Sequence, residues 1–217
     1  MTKQKKIPRI SIISFSPIAR DGRVLRQIRC LKEFAELQVV GFGEMPSDQI
    51  VSDAGHSIRW IQLPQDRYNA KTGDQEKRKR YERWGRFFPW VFHRYYQTIR
   101  HWQKARFEVL AWEPDLVISN ELDPLPIAVE AKATWKDVRI LLDMHEYSPE
   151  QYDRSNHSFW KVLRPRYRWL LKKYSSSVNR VTTVSDRFPK LFKKNYGIRS
   201  VDVIYNAPKL PKSRRPK

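Results

Sequence analysis

The sequence predicts an α/β protein built on a doubly wound, Rossmann-like parallel sheet with helices on both faces. Short apolar runs rich in Val and Ile alternate with longer stretches whose apolar residues recur every three or four positions, from residue 10 to residue 205. Strands that alternate with helices in this way pair in parallel, and the connecting helices cover both faces of the sheet. The 217 residues are enough for one large domain, and no internal repeat divides them.

The first part of the chain has the pattern of a strand, a helix and two further strands. Residues 10–15 form an apolar run, residues 16–22 interrupt it with Pro and Gly, and helical spacing then extends over residues 24–34. The apolar runs at 37–42 and 58–63 predict the second and third strands. We expect parallel pairing and a right-handed crossover for such a unit.

The middle of the chain is polar at first and then helical. Residues 65–79 contain few apolar side chains, which predicts a loop or the solvated start of a helix. Apolar residues at helical spacing cover residues 77–107, and Pro89 is expected to kink this helix or to divide it. A strand at 114–119 and a short helix at 127–133 follow.

The last part of the chain continues the alternation and ends in a basic tail. Ser185 is the expected N-cap of the last helix, and Gly197 is expected to end it. The tail, residues 209–217, consists almost wholly of Lys, Arg, Pro and Ser, which predicts disorder. The predicted elements, in order, are a strand at 138–142, a helix at 159–174, a strand at 180–184, a helix through Phe188, Leu191 and Phe192, and a strand at 201–205.

Ionisable side chains follow two consecutive predicted strands at the point where each strand ends. Because ligands of open α/β sheets bind beyond the carboxyl ends of the strands, these clusters predict an active site in one crevice. A histidine there can donate a proton or a hydrogen bond, and neighbouring carboxylates fix its tautomer. The alternative, that His145 caps the loop and Glu146 pairs with an arginine, carries equal weight. The clusters are Asn120, Glu121 and Asp123 after the first strand, and Asp143, His145 and Glu146 after the second.

Several other chemistries are excluded by residue spacing. No second histidine follows His145 at the distance that a zinc-protease helix requires, and Gly41-Phe42-Gly43 lacks the third glycine of a dinucleotide fingerprint. No phosphate-binding Gly-Lys-Ser/Thr loop and no Gly-x-Ser-x-Gly elbow occurs. The single Cys30 excludes an internal disulfide and a cysteine-based zinc site, which is typical of a reducing compartment such as the cytoplasm. No segment reaches the roughly 20 apolar residues of a membrane-spanning helix.

Five short motifs follow one another along the chain. They are Ser16-Pro17 with Asp21-Gly22-Arg23-Val24, Pro114-Asp115-Leu116-Val117-Ile118 with Asn120-Glu121-Leu122-Asp123, Asp143-Met144-His145-Glu146, Val181-Thr182-Thr183-Val184-Ser185-Asp186, and Val203-Ile204-Tyr205-Asn206-Ala207-Pro208. In this order they resemble the N-terminal domain of GT-B glycosyltransferases of group 1 or family 4. The resemblance implies one half of a GT-B fold, covering residues 1–208 as an acceptor-side domain.

The resemblance further implies transfer of a sugar, with retention, from a nucleotide-sugar donor to a glycan or lipid-linked acceptor, without a bound metal or other cofactor. It places the donor phosphates at the loop of Ser16, Pro17 and Gly22, where glycine allows close backbone contact. His145 would lie against the sugar, and Glu146 and Asp143 are the other catalytic candidates. For Asp21 and Arg23 a charge pair at a helix N-terminus is an equal alternative. Acceptor-binding candidates are Asp21, Arg23, Asn120, Glu121 and Asp123.

A complete enzyme of this kind has a second, nucleotide-binding domain, which we do not expect in this chain. Three interpretations follow from the resemblance. The chain is a truncated product, it is one polypeptide of a split enzyme whose partner is a separate C-terminal-type domain, or it is a remnant that binds without catalysis.

Basic and aromatic residues share the predicted helical stretch at 77–107. Lys and Arg number 43 against 23 Asp and Glu, and the resulting charge of +20 attracts polyanions or anionic surfaces. Basic side chains beside Trp and Phe suit a helix that lies on the anionic inner face of a membrane. Alternatively, the aromatic stripe packs on the sheet and the arginines are solvated.

A non-catalytic basic binding protein, on nucleic acid or on an anionic membrane surface, is the alternative from another functional class. A charge of +20 with 13% aromatic residues could support phosphate contacts and base stacking. Because no helix-turn-helix, zinc-finger or RNA-recognition signature occurs, nucleic acid is not the expected partner.

Overall fold

The computed structural model describes residues 6–44, 57–65, 72–150 and 160–206, with the backbone alone at 72–75. In this part of the chain seven strands form one sheet in the order β3-β2-β1-β4-β5-β6-β7, and all neighbouring strands are parallel. The strands are β1 (Arg9–Pro17), β2 (Glu36–Phe42), β3 (Ile58–Leu63), β4 (Leu116–Asn120), β5 (Arg139–Met144), β6 (Arg180–Thr183) and β7 (Val201–Val203).

Seven α-helices accompany the strands in the described ranges. They are α1 (Gly22–Leu31), α2 (Thr72–Gly85), α3 (Pro89–Tyr96), α4 (Arg100–Trp112), α5 (Leu125–Thr134), α6 (Trp160–Tyr174) and α7 (Arg187–Tyr196). The doubly wound α/β fold predicted from the sequence is confirmed. The predicted tail at 209–217 lies outside the described residues.

Alternate side chains of the strands enter two separate cores on opposite faces of the sheet. On β1, Ile12 packs in the core beneath α1, and its neighbour Ile13 packs in the larger core on the other face. Helices α4, α5, α6 and α7 contribute to that larger core. The central strands, such as β1 and β2, are buried on both faces and so are mostly apolar, which is the pattern that made them visible in the sequence.

The order of the strands reverses between β1 and β4, so the crevice of this sheet opens there. Ser14 at the end of β1 lies opposite Asn120 at the end of β4, and Asn120 lies opposite Asp143 on β5. The parallel register therefore brings three chain-distant loops to one edge of the sheet.

The helical stretch predicted at 77–107 is three helices. Pro89 divides it, as predicted, and occupies the first turn of α3, where its missing N–H costs nothing. A second break at residues 97–99 was not predicted, because neither Pro nor Gly marks it. The backbone N–H and the hydroxyl of Thr98 both donate hydrogen bonds to the Tyr95 carbonyl, at 2.9 and 2.7 Å. Such local hydrogen bonds compete with those that would continue the helix.

The aromatic stripe of this stretch divides between the core and the surface. Phe92, Tyr96 and Trp102 are buried, whereas four aromatic side chains at the turn from α2 to α3 are 47–76% exposed. None of the described helices has the length and apolar content needed to cross a membrane. The exposed side chains are Trp84, Phe87, Phe88 and Trp90.

Gly41 on β2 fixes how closely the loop after β1 can approach the sheet. A Cβ at this position would lie 2.2 Å from Cδ1 of Ile18 and 2.8 Å from the backbone oxygen of Ser14. Ile18 is fully buried in the core beneath α1, so this glycine makes room for the residue that anchors the loop. Gly41 is therefore needed for packing, and it is not part of a dinucleotide fingerprint.

Candidate active site

The loop from β1 to α1 ends in an N-cap formed by a carboxylate. Asp21 accepts hydrogen bonds from the backbone N–H groups of Arg23 and Val24, each at 3.2 Å. The Ser16 hydroxyl donates to the second carboxylate oxygen of Asp21 at 2.8 Å, and lies 2.8 Å from the Ser14 hydroxyl. The Asp21 carboxylate therefore caps the helix. The alternative left open by the sequence, a charge pair of Asp21 with Arg23, is not what the structure has, because the Arg23 guanidinium pairs with Asp143.

Asp143 lies at the end of β5 and is 2% exposed. Its carboxylate accepts a bidentate pair of hydrogen bonds from Arg23, one from Gln27 at 2.6 Å and one from the Thr182 hydroxyl at 2.5 Å. Burial by itself would raise the pKa of Asp143, but His145 and these donors, with the charge of Arg23, lower it to about 2. Asp143 is therefore ionised at neutral pH and engaged inside the protein.

His145 follows β5 directly and stands among three acceptor groups. Its Nε2 lies 3.3 Å from Oδ1 of Asn120 and 3.7 Å from Oδ2 of Asp143, and its Nδ1 lies 4.0 Å from Oε1 of Glu121. Burial lowers the pKa of the imidazole, but the neighbouring carboxylates outweigh it, so that the pKa is raised. The side chain keeps 26% of its surface exposed, so the ring can still meet a ligand.

Glu121 holds the loop that carries His145. Its carboxylate accepts the backbone N–H of His145 at 2.7 Å and the Ser148 hydroxyl at 2.8 Å. Desolvation raises the pKa of Glu121 to about 7, against the opposing effects of His145 and Ser148, although a third of the side-chain surface stays exposed. Its backbone adopts a φ of +67°, which a non-glycine residue rarely does.

Asp123, two residues further on, turns away to α6. Its carboxylate accepts hydrogen bonds from the fully buried guanidinium of Arg166 and, at 3.1 Å, from the Tyr167 hydroxyl. The Arg166 guanidinium also lies 4.2 Å above the ring centroid of Tyr96. Asp123 thus fastens α6 to the end of β4.

The loop after β1 and the end of β5 enclose an open cavity of about 360 Å³. Six predicted site residues are brought together there, and two others, Arg20 and Asn206, were not predicted. A Cβ at Gly22 would meet only the Arg26 guanidinium at 3.7 Å, so the glycine leaves open space at the start of α1. The cavity is lined by Ser16, Pro17, Arg20, Asp21, Gly22, Arg23, His145 and Asn206.

Five predicted residues lie outside this lining. Asn120, Glu121 and Asp143 surround His145 from behind, Asp123 contacts α6, and Glu146 is exposed.

Gln27 and Thr182 were missed by sequence reasoning, and both had a signal. Gln27 stands one helical turn after Arg23, on the same side of α1. Thr182 is a polar residue within a buried strand and lies directly opposite Asp143 in the parallel register.

The chain matches a known protein family over most of its length. Residues 51–208 match the family model described as Glycosyltransferase Family 4. This region contains β3 to β7 and His145, and the loop of Ser16 to Gly22 precedes it. No curated protein sequence matches significantly.

Two solved structures share the fold. One is a UDP-glucosyltransferase from Polygonum tinctorium, with a TM-score of 0.53 and 10% identity over 99% of this chain and 56% of the other. The second is a sucrose-phosphate synthase from Thermosynechococcus elongatus, with a TM-score of 0.51 and 10% identity over 91% of this chain and 47% of the other. The chain therefore spans about half the length of each of these proteins.

Proposed function

This chain belongs to glycosyltransferase family 4, and on that premise we propose that it is the acceptor-side domain of an enzyme that transfers a sugar from a nucleotide-sugar donor. The observation that carries the proposal is the shared cavity. The glycine-containing start of α1 and the His145 imidazole, more than 120 residues apart, line the same 360 Å³ space.

The cavity suits the diphosphate of a nucleotide sugar. The N-terminus of α1 points its partial positive charge at the cavity, and the Arg20 and Arg23 side chains line it. As the bond between sugar and diphosphate breaks, negative charge grows on the departing oxygen, and fixed positive groups lower the energy of that state. These groups support a transfer without a metal ion. Because Asp21 caps the helix and the Arg23 guanidinium is paired with Asp143, Arg20 and Gly22 are the proposed phosphate contacts.

His145 would face the sugar. Its raised pKa favours the imidazolium, which can donate a hydrogen bond to a sugar hydroxyl or to the departing oxygen. Asp143 and Asn120 hold the ring from behind. Retention of configuration is the proposed outcome, as the family resemblance implies.

The opposite wall of the cavity is proposed to come from a nucleotide-binding domain, either on the same polypeptide or on a separate one. The cavity opens beside Asn206, which follows β7 and accepts a hydrogen bond from Arg26. A second domain placed there would close on the donor from the side of α1. The proposed acceptor, a glycan or a lipid-linked molecule, would enter from the side of β4 and β5.

Binding of UDP and UDP-glucose to the chain, followed by amide chemical shifts, tests this proposal. We expect the Gly22 and His145 signals to move, and Arg20→Gln to weaken the affinity about tenfold through loss of a charged phosphate contact. Arg29→Gln is the matched control, because Arg29 is an exposed arginine on α1 outside the cavity lining. Equal weakening by both variants, or shifts confined to other parts of the chain, would contradict the proposal.

Peripheral binding to the inner face of an anionic membrane is proposed as a second property of the chain. The aromatic-basic surface, defined here as the exposed aromatics of the α2–α3 turn with the basic side chains around them, carries this proposal. Exposed aromatic rings insert at the lipid headgroup level, and basic residues are attracted by anionic lipids, each worth about 1 kcal/mol near the surface. Its members are Trp84, Phe87, Phe88, Trp90, Lys77, Arg80, Arg83, Arg86 and Arg94.

Co-sedimentation with vesicles tests the aromatic-basic surface. We expect pelleting with phosphatidylglycerol vesicles at low salt, little with phosphatidylcholine, and loss of pelleting in Phe87→Ser/Trp90→Ser. Phe34→Ser is the matched control, since Phe34 is 68% exposed but lies in the turn between α1 and β2. Equal pelleting of both variants would contradict the proposal, and binding to random duplex DNA without pelleting would favour a nucleic-acid partner.

A further inference from the structure

Glu121 has a left-handed backbone conformation, with a φ of +67°. A left-handed conformation costs an ordinary side chain about 1–2 kcal/mol, and such residues persist where the surroundings hold them. The backbone of Glu121 is held on both sides: its N–H donates to the Asp143 carbonyl at 2.9 Å, and its carbonyl accepts from the Ser119 hydroxyl at 3.0 Å. The strained turn is thus a fixed part of the fold.

The consequence of this turn is the direction of the Glu121 side chain. It reaches across to the loop after β5, where both carboxylate oxygens are occupied, one by the backbone N–H of His145 and one by the Ser148 hydroxyl. Each oxygen thus accepts one hydrogen bond from the loop that it faces. The acceptor-binding role that the resemblance implies for Glu121 stays a prediction.

We propose that Glu121 is a positioning residue for His145: it fixes the backbone of the loop after β5 and, in its ionised form, supplies a negative charge that favours the protonated imidazole. The catalytic benefit of this arrangement rests on the proposed function, in which a protonated His145 stabilises the departing diphosphate. The coupling itself is a property of the two side chains and needs no substrate.

The charged groups around the pair are few and can be named. Asp143 on β5 faces Nε2 of His145, and Arg23 on α1 opposes it by repelling the imidazolium. On the other side, Asp123 and Tyr167 of α6 lie near Glu121, and Asp123 disfavours its ionisation. The hydrogen bond to Asp143 raises the pKa of His145 most, and the charge of Glu121 is the next largest effect that raises it.

Substitution by glutamine separates charge from hydrogen bonding. In Glu121→Gln the amide oxygen can still accept the N–H of His145, and the amide NH₂ can donate to the Ser148 hydroxyl, which rotates to accept. Only the negative charge is lost. The matched control is Glu146→Gln, which removes the same charge from the exposed residue next to His145.

Titration of the histidine ring signals by NMR, in the full chain, measures the coupling. The chain has five histidines, and His145→Gln identifies the signal of interest. We expect Glu121→Gln to lower the pKa of His145 by about one unit, as for an opposite charge about 4 Å away, and Glu146→Gln to leave it within about 0.2 unit. Equal shifts in the two variants, or no shift in Glu121→Gln, would overturn the inference.

A reciprocal measurement covers the case in which Glu121→Gln does not fold. The coupling between two titrating groups is symmetrical, so His145→Gln should raise the pKa of the Glu121 carboxyl by the same amount. An unchanged Glu121 titration in His145→Gln would also overturn the inference. Neither arm uses a nucleotide sugar, so a failure of donor binding and a failure of this coupling are separate results.

Discussion

Arg23 on α1 and Asp143 on β5 form a bidentate ion pair beneath the floor of the cavity, although 120 residues separate them in the chain. Both side chains are almost wholly buried, with 8% and 3% of their surfaces exposed. Among the described residues, α1 is the only α-helix in the core on its face of the sheet. The ion pair links this helix to β5, the strand that His145 follows. Two halves of the candidate active site are thereby fixed to each other.

Asp143→Asn should destabilise the protein by about 3–5 kcal/mol, because Arg23 would keep its buried charge without a counter-ion. Urea unfolding at pH 7 measures this. The double variant Arg23→Gln/Asp143→Asn should lose less than the sum of the single losses, since the two groups interact directly. Asp202→Asn serves as the control: its pair with Arg180 is more than half exposed on both sides, and we expect a change within about 0.5 kcal/mol.

Asp21→Ala should destabilise the protein by about 1 kcal/mol, because two N–H groups of the first turn of α1 lose their acceptor. Thermal unfolding monitored by circular dichroism measures the change. Asp186→Ala is the comparison: Asp186, and not Ser185 as predicted, occupies the N-cap position of α7, and its side chain makes no cap hydrogen bond but accepts one from the exposed Tyr205 hydroxyl. A loss of equal size in both variants would argue against the capping role of Asp21.

Gly41→Ala should destabilise the protein by about 1–3 kcal/mol, as overpacking does, because the added methyl group meets a backbone oxygen as well as Ile18. Gly22→Ala should change stability by less than about 1 kcal/mol, since its methyl group would make only ordinary contact. Both variants can be followed by urea unfolding. Equal stability of the two would show that Ile18 and the loop yield more easily than their burial indicates.

Stability should fall in mild acid through His93. This residue is 3% exposed, and neither ring nitrogen has a hydrogen-bond partner in the part of the chain that the structure describes. Burial, with the charges of Arg166 and Lys173, lowers its pKa from 6.5 to about 3. The unfolded chain therefore binds a proton below pH 6.5 that the folded chain does not. The contribution of His93 is fully present above pH 6.5 and decreases by about 2 kcal/mol between pH 7 and pH 5.

His93→Phe should remove this part of the pH dependence and keep the contact with Trp169, whose ring centroid lies 5.2 Å away. Urea unfolding of both proteins at pH 7 and pH 5 gives the comparison. Parallel losses of stability in the two proteins would assign the acid sensitivity to other groups.

The sheet was predictable from the sequence because its central strands are buried on both faces and so differ sharply from the helices between them. The same rule located Asp143 and His145 at the end of a strand. That Arg23 and Thr182 contact Asp143 was not predictable, since Thr182 meets it only in the register of the folded sheet and Arg23 only once α1 packs on that sheet. The left-handed turn at Glu121 was hidden as well, because glutamate has no preference for that conformation.

The aromatic stripe shows a second limit of sequence reasoning. Helical spacing identified Phe92 and Trp102 together with Trp84 and Phe87, and Pro89 predicted a break between the two pairs, but the spacing could not say which pair faces the core. Once Pro89 redirects the chain, the first group faces the core and the second group faces solvent.

Because 120 residues separate Arg23 and Asp143, their ion pair can form only late in the synthesis of the chain. A ribosome delivers β1, α1 and β2 long before β5, and β4, the other neighbour of β1, comes late as well. Until then the guanidinium of Arg23 has only water around it, so the early unit cannot bury that face of α1 at low cost. Assembly of the cavity is therefore a late event in synthesis, and nascent chains that end before Asn206, which lines the cavity, should lack the complete site.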